Sequence, residues 1–391
     1  MMNNRLLDIG GFDIYDDNLY FYMMSANGIF NMNIKTGKVR YMTSSEKYQF
    51  FDGYLYRDVH LENNKIWFAP YGADDILIYD MQLNISKYIS VPQLAGHGRK
   101  QVKFCGLYDA DKQFIMVPAE YPAILKIDKE TFKISVIKWE EKLLRAYPDF
   151  IKINKYIGIT SWNYEVYNKK LYLFAGNISI RYDIETDELD FLQISNERRI
   201  YSGLARFEDT FALADRSKGE LQIWREEENR ILKVYDLGYQ GEEAGDDGGP
   251  IWVFQINQGI VIAQSKDNFL FFLDYKSKIQ KIRLDIDVCG SNENFFVQIK
   301  QKQNYLIIPS AGQNKILIVN TDNWMQRCVQ MDFDNYKTLK KEIEHETYFI
   351  ENAMFYQLND LIRKLYNCEK DDIQIRMKNN YGKSIYMDIS Q

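Results

Sequence analysis

Short apolar runs alternate with polar turns along most of the chain, in a pattern that recurs seven times. The first run of each copy covers residues 19–22, 66–69, 114–117, 171–174, 211–214, 260–263 and 306–309. These runs are short, and β-branched and aromatic residues are frequent in them, which is typical of buried strands. Each copy therefore predicts a strand that is followed by a polar loop.

A second apolar run follows the first in every copy, and most of these runs end on Asp or Asn. The last residues are Asn33, Asp80, Asp128, Asp183, Arg225, Asp274 and Asn320, which lie 47, 48, 55, 42, 49 and 46 residues apart. An Asp or Asn at the end of a strand can accept hydrogen bonds from the next backbone N–H groups, which starts a tight turn. The pattern therefore predicts hairpins at these positions.

A repeat of about 48 residues with short strands is typical of a β-propeller blade, whereas most solenoid repeats of this length are helical. We therefore predict an all-β chain that forms a seven-bladed β-propeller over residues 6–334. The spacing leaves open a β-sandwich array, or a six-bladed ring with one aberrant segment.

The pattern changes after Asp334. Apolar residues then recur at spacings of three, four and seven, which places them on one face of a helix: Ile343, Ile350, Met354, Leu358, Leu361 and Leu365. Residues 379–382 predict the turn of a hairpin. Residues 335–391 are therefore predicted to form a helical and hairpin C-terminal appendage, which packs on the propeller, on a second subunit or on a partner.

Composition supports an all-β fold and narrows the range of partners. Aromatic residues make up 15% of the 391 residues, which suits strands. The formal net charge of −6 disfavours binding to nucleic acid or to anionic lipid. The four cysteines, Cys105, Cys289, Cys328 and Cys368, have no metal-site spacing, so we expect buried free thiols. No cofactor is predicted.

The sequence predicts neither a leader peptide nor a membrane segment. Residues 1–9 contain one Arg and no apolar core, and no later stretch approaches the ~20 apolar residues of a membrane span. We therefore expect a cytoplasmic protein without a membrane segment, and the alternative is that processing has removed a leader.

One repeat resembles a known family. The segment Asn-Lys-Ile-Trp-Phe-Ala-Pro-Tyr-Gly-Ala at 64–73, followed by apolar strands at 76–80 and 88–92, is similar to a repeat of the virginiamycin B lyase family of propellers. The resemblance implies a propeller fold. In that family, catalysis is attributed to a histidine with acidic partners and magnesium. The histidines here are His60, His97 and His345, and none lies in the sixth repeat, where the equivalent is expected, so inherited lyase activity is not expected.

Ligands of propellers bind near the mouth of the central channel, where loops are free to vary. Aromatic and charged residues in or near the predicted loops suit a sugar or a peptide. They are Tyr71, Tyr121, Trp162, Tyr164, Arg216, Trp252 and Lys266. For each aromatic residue, packing between blades is the alternative role, and for each charge, solvation on a loop.

Candidates for catalysis and metal binding are few. Glu120 or Asp215 would serve as acid or base in an enzyme, and His97 is the only histidine in a predicted loop. Glu242, Asp246 and Asp247 lie in a glycine-rich acidic segment, 241–249, whose order does not match a calcium-binding EF-hand. A flexible acidic loop is the alternative, and no metal is predicted.

Two functions remain after these observations. The first is a non-enzymatic binding or scaffold propeller that presents a loop face to a protein or peptide. The alternative is a carbohydrate- or small-molecule-acting enzyme, or a lectin-like binder, at the channel mouth. The first is favoured because no complete catalytic set can be assigned from the sequence.

Overall fold

The computed structural model describes residues 9–23, 28–44, 47, 55–96, 102–238, 251–286, 298–310, 315–332, 348–350 and 354–356. Seven four-stranded antiparallel sheets follow one another along these ranges, with the strands of each sheet in chain order. The predicted seven-bladed β-propeller is therefore confirmed.

The first four blades contain sixteen strands. Blade 1 has β1 (Ile9–Tyr15), β2 (Asn18–Met23), β3 (Gly28–Asn33) and β4 (Val39–Ser44). Blade 2 has β5 (Tyr56–Glu62), β6 (Lys65–Pro70), β7 (Asp75–Asp80) and β8 (Ile85–Ser90). Blade 3 has β9 (Phe104–Ala110), β10 (Gln113–Pro118), β11 (Ala123–Asp128) and β12 (Ile134–Lys138). Blade 4 has β13 (Glu165–Tyr167), β14 (Lys170–Ala175), β15 (Ile178–Asp183) and β16 (Leu189–Gln193).

The last three blades repeat the arrangement. Blade 5 has β17 (Tyr201–Phe207), β18 (Thr210–Asp215), β19 (Glu220–Arg225) and β20 (Arg230–Asp236). Blade 6 has β21 (Ile251–Ile256), β22 (Gly259–Gln264), β23 (Phe269–Asp274) and β24 (Ile279–Arg283). Blade 7 has β25 (Lys300–Lys302), β26 (Tyr305–Pro309), β27 (Lys315–Asn320) and β28 (Gln326–Gln330). First strands of neighbouring blades contact one another, as β1 contacts β5 and β17 contacts β21, so the first strands line the central channel.

The third strand of every blade ends at the residue that the sequence pattern predicted. Asp80 Oδ1 accepts hydrogen bonds from the backbone N–H groups of Gln82 at 3.0 Å and Leu83 at 2.9 Å. Asn33, Asp128, Asp183 and Asn320 accept equivalent bonds in their own blades. The recurring Asp or Asn therefore starts the turn to the fourth strand, as predicted.

Buried apolar side chains join each blade to the next. Seven separate clusters lie between blades 1 and 2, 2 and 3, 3 and 4, 4 and 5, 5 and 6, 6 and 7, and 7 and 1. Each sheet is apolar on both faces because it packs between two neighbours. The cluster that joins Phe12 and Phe30 of blade 1 to Ile316 and Ile318 of blade 7 closes the ring.

Backbone hydrogen bonds reinforce the closure between blades 7 and 1. Val39 N–H donates to Asp332 O at 3.0 Å, and Asp332 N–H donates to Gly37 O at 2.8 Å. Gly37 has φ of +77°, and a Cβ there would lie 2.0 Å from Gln330 O. Only glycine fits this position, because it needs both the left-handed conformation and the close approach of the neighbouring backbone.

Two helices lie in the connection between blades 3 and 4. Helix α1 spans Trp139–Ala146. It has Glu140 and Glu141 in its first turn and Arg145 in its last turn, and these charges interact favourably with the helix dipole. Helix α2 (Phe150–Asn154) follows it. In the described ranges, these are the helices present, and neither is long and apolar enough to cross a bilayer. The cytoplasmic location stays a prediction.

Two short strands beyond the propeller correct part of the predicted helix. Strands β29 (Tyr348–Ile350) and β30 (Met354–Tyr356) pair in antiparallel fashion, so Ile350 and Met354 do not lie on a helix. Aromatic and β-branched residues occupy these positions, and they favour strands despite the helical spacing. The rest of residues 335–391, including the predicted hairpin, lies outside the described residues, and the domain division stays a prediction.

The cysteines differ in their surroundings. Cys105 is half-buried, and burial raises the pKa of its thiol to about 12. Cys328 is exposed on β28, the edge strand of blade 7, so the expectation of a buried thiol is wrong there. Cys289 and Cys368 lie outside the described residues.

Candidate functional site

The two faces of the ring are built differently. The upper face carries the loops between the second and third strands of each blade, and the connections from one blade to the next. The lower face carries the tight turns between first and second strands and between third and fourth strands. The upper face therefore has the longer loops, whereas the lower face is made of short turns.

Residues 162–164 bond to the first strands of blades 3, 5 and 6, which line the channel, and we refer to Trp162, Asn163 and Tyr164 as the channel plug. Strand β13 begins only at Glu165 and has three residues, so the plug lies outside the sheet of blade 4. Trp162 N–H donates to Ser202 O of blade 5 at 2.6 Å. The chain thus bonds here to the first strand of the next blade.

Asn163 ties two other blades together through one side-chain amide. Its Nδ2 donates to Leu204 O of blade 5 at 2.5 Å and to Val253 O of blade 6 at 2.9 Å. Its Oδ1 accepts weaker bonds from the N–H groups of the same two residues, at 3.4 and 3.3 Å. The amide therefore completes the backbone hydrogen bonding of two first strands that lie side by side.

Tyr164 extends the plug toward blade 3. Its hydroxyl donates to Leu107 O at 2.9 Å, and burial raises its pKa well above the usual range. Its ring lies over Gly106, where a Cβ would come within 2.6 Å of the ring. The structure therefore places this predicted ligand-binding tyrosine in a packing and hydrogen-bonding role.

Two more predicted residues, Tyr71 and Trp252, lie near Trp162 of the plug and the buried Arg57. The Arg57 guanidinium carbon lies 4.5 Å from the centre of the Trp162 ring and 5.7 Å from that of Tyr71. The ring of Trp252, which is buried, lies 6.4 Å from that of Trp162. Arg57 is only 5% exposed. Cation–π contact therefore joins the faces of Tyr71 and Trp162 to Arg57, and Trp252 packs against Trp162.

The carboxylates along the channel also bind the protein itself. Asp58 accepts the N–H groups of Val59 at 2.9 Å and Leu107 at 2.8 Å. The ammonium group of Lys300 in blade 7 lies 2.6 Å from the same carboxylate and joins blade 7 to blade 2 across the channel. These groups hold the walls of the channel together and are not directed at a ligand.

The two acids proposed for catalysis lie in different blades and have protein partners. Asp215 is fully buried, lies 2.9 Å from Arg199 Nη1 and accepts the Ser217 hydroxyl at 2.5 Å. Glu120, in the upper loop of blade 3, accepts the Tyr156 hydroxyl at 2.8 Å. The structure does not bring these two acids together on one element, and their catalytic role stays a prediction.

Tyr121 lies in the core and not at the channel mouth. Its hydroxyl donates to Pro92 O at 2.5 Å, and its ring packs 4.8 Å from that of Phe104. Burial raises its pKa to about 12. Tyr121 therefore packs in the cluster between blades 2 and 3, which is the alternative role that the sequence left open for it.

Several candidates fall outside the residues that the structure describes. They are His97, Glu242, Asp246 and Asp247. Among the described residues, no three His, Cys, Asp or Glu side chains are arranged to hold a metal ion. The predictions on these four residues remain predictions.

Four cations lie on upper loops near blades 5 and 6, and we call them the basic surface. Arg198 lies in the connection from blade 4 to blade 5, Arg216 and Lys218 in the upper loop of blade 5, and Lys266 in the upper loop of blade 6. The backbones of the first two loops adjoin, because Arg216 N–H donates to Ile200 O at 2.9 Å. Within the described ranges, none of the four has an ion-pair partner, whereas adjacent Arg199 has Asp215. Lys218 and Lys266 are exposed, and the two arginines are half-buried.

A polar cluster that local sequence patterns did not reveal lies between blades 2 and 3, toward the lower face. His60 Nε2 lies 3.1 Å from Asp109 Oδ2, and the other oxygen of Asp109 lies 2.6 Å from Lys129 Nζ. Lys129 also pairs with Glu62 at 2.8 Å. These residues come from blades 2 and 3, far apart in the chain, so no local motif could reveal the cluster.

Comparisons with known proteins support the fold and leave the function open. Neither a protein-family model nor a curated protein matches the chain. Virginiamycin B lyase from Staphylococcus aureus, solved as a catalytically inactive variant with quinupristin, is 12% identical with a TM-score of 0.57, over 80% of this chain and 94% of that one. A streptogramin B lyase structure is 13% identical with a TM-score of 0.55, over 80% and 92%.

A chain of a mitotic checkpoint complex is 11% identical with a TM-score of 0.51, over 78% of this chain and 86% of that one. The resemblance to virginiamycin B lyase propellers thus holds at the level of fold. At such low identity the likeness concerns the architecture alone.

Proposed function

We propose that this protein is a binding propeller, whose upper face receives an acidic segment of a protein partner on the basic surface of blades 5 and 6. The observation that carries the proposal is the group Arg198, Arg216, Lys218 and Lys266, which lacks ion-pair partners within the described residues. Half-buried arginines keep part of their side chain ordered before binding, and they bind carboxylates through two parallel hydrogen bonds.

The contacts of the channel plug favour binding on the face over catalysis in the channel. Trp162, Asn163 and Tyr164 bond to blades 3, 5 and 6, so these three residues hold the channel wall together. The alternative of a carbohydrate-acting enzyme that uses Glu120 or Asp215 needs two carboxylates that converge on one substrate. Asp215 is instead buried against Arg199.

The fold is compatible with this role. A structure that shares it, though at 11% identity, belongs to a mitotic checkpoint complex, which is an assembly of proteins. Propellers suit such use because rigid blades hold variable loops at fixed positions on one face. The likeness supports a protein partner in general and names no particular one.

The proposal is tested with a fluorescent peptide of alternating Glu and Ser, and with a neutral peptide in which Gln replaces Glu. We expect the acidic peptide to bind, and its affinity to fall as salt is raised, because the contact is ionic and solvent-exposed. The Arg198→Glu/Arg216→Glu variant should weaken binding by about tenfold or more, a loss of about 1.4 kcal/mol. Fluorescence anisotropy measures each affinity.

A matched variant separates a local contact from net charge. Lys112→Glu/Lys133→Glu changes the net charge by the same amount, but on the lower turns of blade 3. Its affinity for the acidic peptide should stay close to that of the unmodified protein. Equal weakening by both double variants, or equal binding of the acidic and neutral peptides, would contradict the proposal.

A further inference from the structure

A polar groove of about 660 Å³ lies on the lower face between blades 6 and 7, on the side of the ring opposite the basic surface. The turns after β21 and β25 form two of its walls, and the turns after β23 and β27 complete it. Five side-chain amides, one carboxylate and one tyrosine line it. Charged groups are thus scarce in the groove, whereas neutral hydrogen-bonding groups are concentrated there.

The amides are held in place by bonds that use only part of their capacity. Asn304 Nδ2 donates to Asp322 Oδ2 at 2.8 Å, and Asn257 Nδ2 approaches the other oxygen at 3.4 Å. Gln301 Nε2 donates to Gln255 O at 2.9 Å. Gln301 Nε2 also donates to Gln303 O at 3.3 Å, so the capacity that Gln301 keeps is its side-chain carbonyl oxygen. Asn257 and Asn304 each keep a second N–H and a carbonyl oxygen with two lone pairs, so donors and acceptors lie side by side in the groove. A hydroxyl group, which both donates and accepts, matches this arrangement.

Tyr275 adds a flat apolar surface to the groove. Its ring stacks on Phe207 of blade 5, with centres 5.5 Å apart and planes 10° from parallel. The ring is nevertheless 42% exposed, so the contact with Phe207 fixes its orientation without covering it. A preorganised aromatic ring beside amides can bind a ligand that has an apolar face and a polar edge at little entropic cost.

Blade 7 lacks an ion pair that blades 1 and 4 have at the corresponding turn positions. Lys169 and Glu185 occupy the corresponding turn positions of blade 4 and lie 2.6 Å apart. Asp17 and Lys35 form the equivalent pair in blade 1, also at 2.6 Å. Blade 7 has Asn304 where blade 4 has Lys169, so its Asp322 is bonded to amides instead of to a cation. The groove therefore presents an oriented carboxylate and neutral amides, without a strongly hydrated ammonium group.

From these contacts we infer that the groove is a binding site for a neutral saccharide. Sugar hydroxyls would bond to the amides of Asn257, Gln301 and Asn304 and to the Asp322 carboxylate, while the C–H face of one ring packs on Tyr275. The site is separate from the channel mouth and from the basic surface, so it does not depend on the function proposed above.

The test uses four trisaccharides as probes: α-linked glucose, β-linked glucose, mannose and N-acetylglucosamine. Saturation-transfer NMR and calorimetric titration with the full chain measure their binding. At least one should bind the unmodified protein, and Tyr275→Ala and Gln301→Ala should each weaken that binding by about tenfold or more. Asn304→Lys restores the lysine–acid pair of blade 4 in blade 7, so it should fold normally and also lose binding.

Two controls make the outcome specific. Glu185→Ala, at the turn position of blade 4 that corresponds to Asp322, should leave saccharide binding unchanged. Arg198→Glu/Arg216→Glu should also leave it unchanged, which distinguishes failure here from failure of the peptide site. The inference is overturned if none of the trisaccharides binds, or if Asn304→Lys, with an unchanged melting temperature, binds as well as the unmodified protein.

Discussion

Several side chains that are site candidates in the sequence contact other residues of the propeller in the structure. Asp215 illustrates this: as a carboxylate beside a loop it qualifies as a catalytic acid in the sequence, but it is fully buried and pairs with Arg199. Burial of a charge is tolerated only when a partner and hydrogen bonds compensate it. The sequence shows the residue type at such a position, but not the partner that occupies it.

Replacement of Asp215 should therefore affect stability first. We expect Asp215→Asn to lower the free energy of unfolding by about 2–4 kcal/mol, because Arg199 loses its buried partner. Glu197→Gln removes an exposed carboxylate 3.5 Å from the same arginine and should have little effect. Urea denaturation of both variants measures the difference. Similar midpoints for the two variants would contradict the structural role.

Glu165 gives the fold a pH dependence of its own. Burial raises its pKa from the usual 4.5 to about 7, although the Arg206 N–H and guanidinium oppose this in part. Between these two values the folded state holds the proton more tightly than the unfolded state. The contribution of Glu165 to stability is thus fully favourable at low pH and is lost as pH rises toward 7.

Glu165→Gln should remove this part of the pH dependence. We expect the variant to be more stable than the unmodified protein at pH 8, by about 1–2 kcal/mol, because the buried charge is gone. Near pH 4 the two proteins should be equally stable. Chemical denaturation across this pH range gives the comparison, and parallel curves for both proteins would show that Glu165 titrates normally.

At the scale of elements, the strands were predictable and the channel plug was not. Asp80 and Asn320 mark strand ends in the sequence because their turn is made within a few residues. The plug depends on contacts from Asn163 to Leu204 and Val253, which are 41 and 90 residues away. Local patterns carry no information on such contacts. They also could not reveal the groove, which only forms when blades 6 and 7 are side by side.

The plug can be tested through the glycine beneath it. Gly106→Ala places a Cβ 2.6 Å from the Tyr164 ring, so the ring must shift and the Tyr164–Leu107 bond is strained. We expect a loss of about 1–3 kcal/mol in the free energy of unfolding. Tyr164→Ala removes the ring. The Gly106→Ala/Tyr164→Ala double variant should therefore lose less free energy of unfolding than the sum of the losses of the two single variants. Additive losses would show that the two positions do not interact.

At the scale of the whole molecule, the contact between blades 7 and 1 turns seven similar sheets into one ring. The apolar cluster around Phe12 and Ile316 and the hydrogen bonds of Val39 and Asp332 join residues from opposite ends of the propeller. Such closure covers the sheet surfaces that an open array would leave exposed. We therefore expect the seven blades to unfold as one cooperative unit.

Two glycines allow closure to be tested with a built-in control. Gly37 and Gly238 both have positive φ, +77° and +72°, so alanine costs about 1 kcal/mol in conformation at either position. A Cβ at Gly37 would also collide with Gln330 O at 2.0 Å, whereas at Gly238 no atom of the described residues lies within 4 Å. Gly37→Ala should thus lower the melting temperature clearly more than Gly238→Ala. Equal shifts would show that this contact does not stabilise the ring.

The most direct test of the proposed binding face is hydrogen exchange of the backbone amides, with and without the alternating Glu–Ser peptide. Bound peptide should slow exchange in residues 194–200 and 216–219, which carry Arg198, Arg216 and Lys218, and leave the lower turns unchanged. Arg198→Glu/Arg216→Glu should abolish this protection. Protection confined to the lower face, or none at saturating peptide, would contradict the account.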